Sequence, residues 1–451
     1  MSEYNQQQSK QNVRLLAVKA LADINRKGAY ANIVLQQYIS QSHMEDLDRR
    51  FFTELVYGVV RRKNYLDAII VHLAKRPLNK LSSLVVEILR LGIYQIIYMD
   101  KVPHSAAVNE SVKLAKKLTR GLSGFVNAIL RSAIRSEADI TISSLATAEH
   151  ERISFIYNQP LWLVKHWIRE MGIDQTIDLC AWFNEQPRLT ARINTLKISL
   201  ADCIKQLEEA GWIISRDDVM EEVIYIEKHV GHLEKSPVVL DGYITFMDKA
   251  SMLVAHIVDP QRGERILDCC AAPGGKTMHM ATLMENTGEI IACDIHEHKL
   301  ELMNDNAKRL GVSIVETRLQ DATQLPEEWK ESFHRVLVDA PCSGLGILQK
   351  KLDMRWRKEP SILTELPLLQ EKIINKASEM VKSGGYLIYS TCTINREEND
   401  VIVERFLDSH SNFELDPIKE GIVKGHNEPM ITINPPVDEM DGFFMARLRK
   451  L

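Results

Sequence analysis

Two cysteines carry the most specific chemical signal in this chain. Cys342 closes the run Asp339-Ala340-Pro341-Cys342, and Cys392 closes Ser390-Thr391-Cys392. A cysteine in a polar crevice can act as a thiolate nucleophile or as a weak acid and base, and a pair can divide these roles. Free cysteine is more often a buried small hydrophobe. That ordinary reading is assigned to Cys180, Cys203 and Cys293. Pro341 before Cys342 and the two polar residues before Cys392 argue against it for this pair. The seven cysteines form no CxxC pair and no Cys/His zinc spacing, so neither a disulfide framework nor a metal site is expected.

A second constellation lies upstream. Cys270-Ala271-Ala272-Pro273-Gly274-Gly275-Lys276 follows a short apolar run and opens a helical pattern. Small residues there let a ligand approach the backbone closely. A phosphate loop of the form GxxxxGK[ST] would need glycine at 270, where Cys270 stands, and GxGxxG is absent. Asp294 ends the next apolar run, the position from which a carboxylate accepts hydrogen bonds from both hydroxyls of a ribose. Asp321, after the third run, could reach an adenine amino group. A glycine loop with acidic partners but without a full phosphate loop suits S-adenosyl-L-methionine better than ATP or NAD. Lys276 could favour a thiolate nearby, and Asp339 could bond a base ring and stabilise developing charge.

These residues need a scaffold that brings them to one crevice. Arg265 to Cys269, Glu289 to Asp294, Ser313 to Arg318, Arg335 to Asp339, Tyr386 to Ser390 and Phe443 to Leu448 read as strands. Helical patterns separate them, one ending at Leu310 before Gly311 and another spanning about 361 to 382. Alternating strands and helices predict a largely parallel sheet covered on both faces, with its ligand crevice at the carboxyl ends of the strands. Both sulfurs are therefore expected to face one pocket in an α/β Rossmann-like domain over 241–451.

Ahead of that domain the rhythm is different. Apolar residues at Val13, Leu16, Ala17, Ala20, Leu21 and Ile24 mark one helical face. Further helical patterns cover Phe51 to Val60, Leu66 to Leu73, Leu84 to Met99, Ala106 to Leu118 and Phe125 to Ile134, with breaks between them. They predict an all-α bundle over 1–145. Between 146 and 240, an amphipathic helix from Pro160 to Ile168 precedes two short strands, Arg188 to Asn194 and Val223 to Glu227, and a helix from Leu200 to Ala210. This predicts a small α+β connecting domain. No repeat or low-complexity tract appears.

The 451 residues carry 56 Lys and Arg against 61 Asp and Glu, a net charge of −5. That total conceals an asymmetry, because residues 1–140 hold 21 basic against 12 acidic residues, a net of +9. A basic module attached to an acidic remainder supplies sequence-independent attraction to phosphates. No apolar stretch approaches the roughly 18 residues that a membrane helix needs. A soluble, cytosolic and monomeric protein is expected, with no membrane partner.

The motifs also carry a resemblance. Asp339 to Gly344, Ser390 to Cys392, the loop from Cys270 to Lys276 and the tail Gly442-Phe443-Phe444 resemble the RNA cytosine-5 methyltransferase family, the Nop2/Sun group. Val102 to Glu110 and Gly124 to Arg131 resemble a NusB-type RNA-binding domain, and Arg188 to Thr195 resembles the segment ahead of the family's catalytic domain. Leu345 departs from the threonine common in relatives. The order of these parts is similar to that of the bacterial enzymes that methylate 16S ribosomal RNA. The resemblance implies a thiolate that adds to carbon 6 of cytosine, because carbon 5 is too poor a nucleophile to take a methyl group unaided. Spacing leaves open which cysteine attacks; the family implies Cys392 as nucleophile and Cys342 as the thiol that assists release. It also implies cofactor contacts from Cys270 through Lys276 and from Asp294, Asp321 and Asp339. The same chemistry on tRNA, and a non-catalytic RNA-binding assembly or antitermination factor, are the alternatives.

Overall fold

In the computed structural model, the described residues are 12–26, 29–42, 44–136, 141–231, 233–419, 421–423 and 428–451. Two compact units divide the chain. One comprises 1–184 with 351–358, and the other comprises 185–350 with 359–451. The helix patterns between 160 and 182 thus belong with the helical unit, a cut that differs from the expected boundary near 145.

The helical unit is built from amphipathic helices whose apolar faces meet in one core. Val13–Arg26, Ala31–Gln41, Asp46–Ala74, Ser83–Tyr98, His104–Leu118 and Ser123–Arg135 are its main helices. The expected pieces at 51–60 and 66–73 are one continuous helix of 29 residues. The charged run Arg61-Arg62-Lys63-Asn64 between them interrupts the apolar pattern but contains no proline or glycine to stop a helix. Ser83–Tyr98 is apolar nearly all round and lies at the centre, with Ile88, Leu89, Leu91 and Ile93 fully buried. Leu352 and Trp356, from the distant segment 351–358, pack into the same core.

The second unit holds two sheets. Strands β1 (Thr190–Ile193), β2 (Ile213–Arg216), β3 (Val223–Lys228) and β4 (Ile244–Phe246) form an antiparallel sheet in the order β2-β3-β1-β4. The helix Leu200–Glu209 completes this small α+β element, in line with the expectation.

The larger sheet starts with β5 (Arg265–Asp268), β6 (Glu289–Asp294), β7 (Val315–Leu319), β8 (Phe333–Asp339) and β9 (Val381–Thr391). It is completed by β10 (Phe413–Leu415), β11 (Met430–Thr432) and β12 (Phe444–Lys450). Its main path runs β10-β12-β9-β8-β5-β6-β7, with β11 also paired to β12. The pairs β5–β6, β6–β7, β5–β8 and β8–β9 are parallel, while β12 runs antiparallel to β9. Strand order therefore reverses between β5 and β8, and that switch point opens a crevice at the carboxyl edge. Separate apolar clusters cover the two faces of the sheet. Val336, Leu337 and Val338 are fully buried in its centre, as expected of a strand covered on both sides.

Candidate active site

The candidate site residues gather at the carboxyl ends of the parallel strands and in the loops and helix start that follow them. Asp268 ends β5, Asp294 ends β6, Asp339 ends β8 and Cys392 follows β9 by one residue. Because these strands are neighbours in register, their ends converge without any long loop.

The two sulfurs meet. Cys342 Sγ and Cys392 Sγ are 3.1 Å apart, both cysteines are half-buried, and neither is in a disulfide. The Cys342 thiol is pushed well above the ordinary range by its hydrogen bond to Cys392, then by burial and by the negative charges of Glu398 and Asp339. Cys342 is thus held as a protonated thiol. Cys180, Cys203 and Cys293 are buried, and burial pushes them up to about 12, 11 and 12 respectively.

Lys276 and Asp339 also come together, with Lys276 Nζ donating to Asp339 Oδ2 at 2.8 Å. The ammonium lies 5.1 Å from the Phe443 ring centroid. Burial acts to lower the Lys276 pKa, but Asp339 outweighs it, and a thiolate on Cys392 raises it further. The other carboxylate oxygen, Asp339 Oδ1, accepts from Ser390 Oγ at 2.8 Å. Lys276 therefore has a carboxylate as its direct partner, with its influence on a thiol acting through space.

The loop over 270–276 turns sharply between β5 and the helix Gly275–Leu283. Gly274 adopts φ +96°, and a Cβ there would lie 3.1 Å from Met303 Cγ, so glycine meets both a backbone and a space requirement. The Ala272–Pro273 peptide is cis, and the Ala271 amide donates to the Cys293 carbonyl at 2.8 Å. Cys270 is half-buried, and burial raises its thiol well above the ordinary range.

The acidic residues differ in their surroundings. Asp294 is buried, and its Oδ1 accepts from the His296 amide and from His296 Nδ1, each at 2.9 Å. Its Oδ2 makes no hydrogen bond among the described residues. Asp321 is exposed, with Oδ1 held by the Thr323 amide and hydroxyl at 2.8 and 2.7 Å. Asp268 escaped the sequence reading. It is buried, accepts from Thr277 Oγ1 at 2.7 Å, and is pushed up to about 7, chiefly by burial. Its signal in the sequence was its place at the end of the first strand, directly before the glycine loop.

A separate cluster offers metal-type ligands among the described residues. Glu222 Oε1 receives His256 Nε2 at 2.6 Å and His279 Nε2 at 3.2 Å. These hydrogen bonds outweigh burial and hold the Glu222 carboxyl well below the usual range. Burial, then the Arg192 charge, pushes His279 down to about 3. Arg192 is buried and donates to Thr282 Oγ1 at 3.1 Å, and the Glu222 charge acts on it through space. Its guanidinium supplies the positive charge the carboxylate needs, so the cluster is balanced as a hydrogen-bonded ion group.

Comparison with known proteins agrees with the fold. The family described as "16S rRNA methyltransferase RsmB/F" matches residues 255–449, and the NusB family matches residues 11–135. A ferredoxin-like domain of RsmF/B-like methyltransferases matches residues 159–232. The chain is 35% identical to the "Probable ribosomal RNA small subunit methyltransferase B" of Bacillus subtilis (strain 168), over 98% of this chain and 99% of the relative.

The chain belongs to the RsmB/F methyltransferase family.

It is also 38% identical to the protein of the same description from Synechocystis sp. (strain ATCC 27184 / PCC 6803 / Kazusa), over 97% of this chain and 99% of that one. The crystal structure of PH0851 superposes with a TM-score of 0.84 at 27% identity, covering 98% of this chain and all of that one. As an RsmB/F-family methyltransferase, the chain combines a NusB helical domain, a ferredoxin-like domain and a methyltransferase domain with a mostly parallel sheet. Among its described residues, no helix is long and apolar enough to cross a membrane.

Proposed function

We propose that this protein methylates carbon 5 of a specific cytosine in 16S ribosomal RNA, through a covalent adduct between Cys392 and carbon 6 of the base. The observation that carries this reading is the approach of the two sulfurs to 3.1 Å beside the Lys276–Asp339 pair, at the carboxyl ends of adjacent strands. The names of the full-length relatives support ribosomal RNA as the substrate.

The residues present fit S-adenosyl-L-methionine. Asp294, at the end of β6, keeps one carboxylate oxygen available for ribose hydroxyls. Cys270, Ala271, Ala272, Pro273, Gly274, Gly275, Lys276, Asp294, Asp321 and Asp339 would surround the cofactor, which supplies an electrophilic methyl group when bound.

Cys392 adds as thiolate to carbon 6, which makes carbon 5 electron-rich enough to accept a methyl group. Asp339 bonds the polar edge of the ring, and Lys276 sets the position and charge of that carboxylate. After transfer, water takes the proton from carbon 5, the C5–H pair re-forms the ring double bond, and the Cys392 sulfur departs with the electron pair of the carbon 6 bond as a thiolate. Cys342, protonated and in contact with Cys392, assists this elimination by donating a hydrogen bond to the departing sulfur. The target cytosine must be single-stranded or extruded, because carbon 6 is inaccessible within a stack. The basic N-terminal domain holds the surrounding RNA.

RNA containing 5-fluorocytosine tests the assignment, because fluorine blocks the elimination and traps the adduct. Cys392→Ala should yield no covalent complex. Cys342→Ala should retain the complex and lose about 100-fold or more in turnover. A normal adduct without Cys392 refutes the assignment. Bisulfite mapping of RNA from cells with and without the gene distinguishes a ribosomal target from a tRNA target, and the absence of any lost methylcytosine favours a non-catalytic RNA-binding role.

A further inference from the structure

One carboxylate outside the residues assigned so far joins the two cysteine loops. Glu398 is fully buried, at the end of a short turn Arg396–Glu398 that follows Cys392. Its Oε2 accepts from the Ser343 amide at 2.8 Å and from Gln370 Nε2 at 3.0 Å. Its Oε1 accepts from Ser343 Oγ at 2.5 Å and from Asn395 Nδ2 at 3.1 Å. Ser343 directly follows Cys342, and Asn395 lies three residues beyond Cys392.

The surrounding bonds close the arrangement. Ser343 Oγ, which donates to Glu398, lies 2.8 Å from Thr393 Oγ1, whose hydroxyl also reaches Glu398 Oε1 at 3.5 Å. Thr393 directly follows Cys392. Gln370 Nε2 also donates to the Pro341 carbonyl at 2.9 Å, and the Tyr389 hydroxyl donates to the Glu398 carbonyl at 2.7 Å. Among the described residues, Glu398 has no ammonium or guanidinium within ion-pair distance. Four close hydrogen bonds from neutral donors, and a longer one from Thr393 Oγ1 at 3.5 Å, therefore hold a buried anion, a costly choice unless its geometry is used.

We propose that Glu398 is a positioning residue for the thiol pair: it binds Ser343 and Asn395 together and so fixes the Cys342 loop against the Cys392 loop at the distance their chemistry needs. The same negative charge is among those that keep Cys342 in its thiol form, after the Cys392 hydrogen bond and burial. A carboxamide could not replace it, because its single oxygen would leave an amide N–H₂ facing a donor. The consequence for turnover rests on the methyltransferase reading above, whereas the consequence for sulfur approach does not.

The test uses the full chain with Glu398→Gln, and Ser343→Ala as a smaller lesion of the same clamp. Diamide, a thiol oxidant, takes two electrons and two protons from the pair and leaves a Cys342–Cys392 disulfide, which peptide mapping by mass spectrometry follows in time. Glu398→Gln should slow that closure by about ten-fold or more while circular dichroism shows a folded protein, because the bond requires close sulfurs in a defined geometry. In methylation assays kcat should fall by about 100-fold, as expected when reacting groups are misplaced by an ångström or so. The KM values for RNA and S-adenosyl-L-methionine should stay within about three-fold. Disulfide closure at the wild-type rate in folded Glu398→Gln overturns the proposal, as does an unchanged kcat in an active enzyme. If Glu398→Gln does not fold, Ser343→Ala decides: slower closure supports the clamp, and wild-type closure overturns it. Slower closure in a protein whose wild type has no methyltransferase activity leaves the clamp standing and removes the catalytic reading.

Discussion

Asp268 illustrates how a single side chain can set the pH response of the crevice. Burial lifts its carboxyl from 3.8 to about 7, and the Thr277 hydroxyl offsets only part of that. A carboxyl with a raised folded pKa binds its proton more tightly in the folded state, so the contribution of Asp268 to stability is full below about pH 4 and is lost as pH rises through about 7. Three pKa units correspond to about 4 kcal/mol. Asp268→Asn keeps the acceptor for Thr277 and removes the charge. It should therefore melt several degrees above wild type at pH 8, with the gap closing toward pH 4. Thermal melts across that range check this, and a constant offset at all pH values would refute it. The cysteines were legible in the sequence because their neighbours are chemically distinctive. Asp268 and Glu398 were not, because their roles depend on burial and on donors supplied by other loops. In the chain, Asp268 is one strand-end acid, and Glu398 is one member of a charged run, Arg396-Glu397-Glu398.

At the scale of elements, the placement of the working groups depends on a close passage of backbones. The Gly346 amide donates to the Cys392 carbonyl at 3.1 Å, and the Gly442 amide donates to the Gly346 carbonyl at 2.9 Å. The turn after Cys342, the end of β9 and the approach to β12 are thereby tied together. A Cβ on Gly346 would lie 2.0 Å from the Gly442 carbonyl oxygen, a backbone atom that cannot swing away. Gly346→Ala should cost about 2–3 kcal/mol, as overpacking in a tight core does. It should also slow disulfide closure between Cys342 and Cys392. Denaturant unfolding and the diamide assay measure the two effects, and a neutral result in both would show that the passage has slack. The parallel strands were legible because strands buried on both faces read as continuous apolar runs. The helix Asp46–Ala74 was less so, since the charged run Arg61-Arg62-Lys63-Asn64 interrupts its apolar pattern. Gly58, within it, is a packing requirement, because a Cβ there would lie 2.1 Å from the Tyr94 ring.

For the whole molecule, the informative feature is a short return of the chain. Residues 351–358 leave the catalytic unit nine residues after Cys342 and fold as part of the helical unit. Arg355 is fully buried there, donating to the carbonyls of Asn158 and Phe183 at 3.2 and 3.1 Å and to Asn184 Oδ1 at 3.2 Å. Trp356 Nε1 donates to the Val60 carbonyl at 2.8 Å, and Asp353 accepts from the Ala31 amide. No pattern in 1–184 announces that its core is completed from elsewhere, which is why a boundary drawn from periodicity alone misses the segment. The helical unit consequently should not be self-sufficient. Arg355→Ala in the full chain removes a buried donor and strands its acceptors, at a cost of about 3 kcal/mol or more. A fragment ending at residue 184 loses Leu352, Arg355 and Trp356 together. It should melt well below the helical transition of the intact protein, and a synthetic peptide covering 351–358 should raise its melting temperature. Calorimetry of the fragment with and without the peptide decides the matter. A fragment as stable as the intact unit would mean that the inserted segment is held by the helical unit without contributing to its fold.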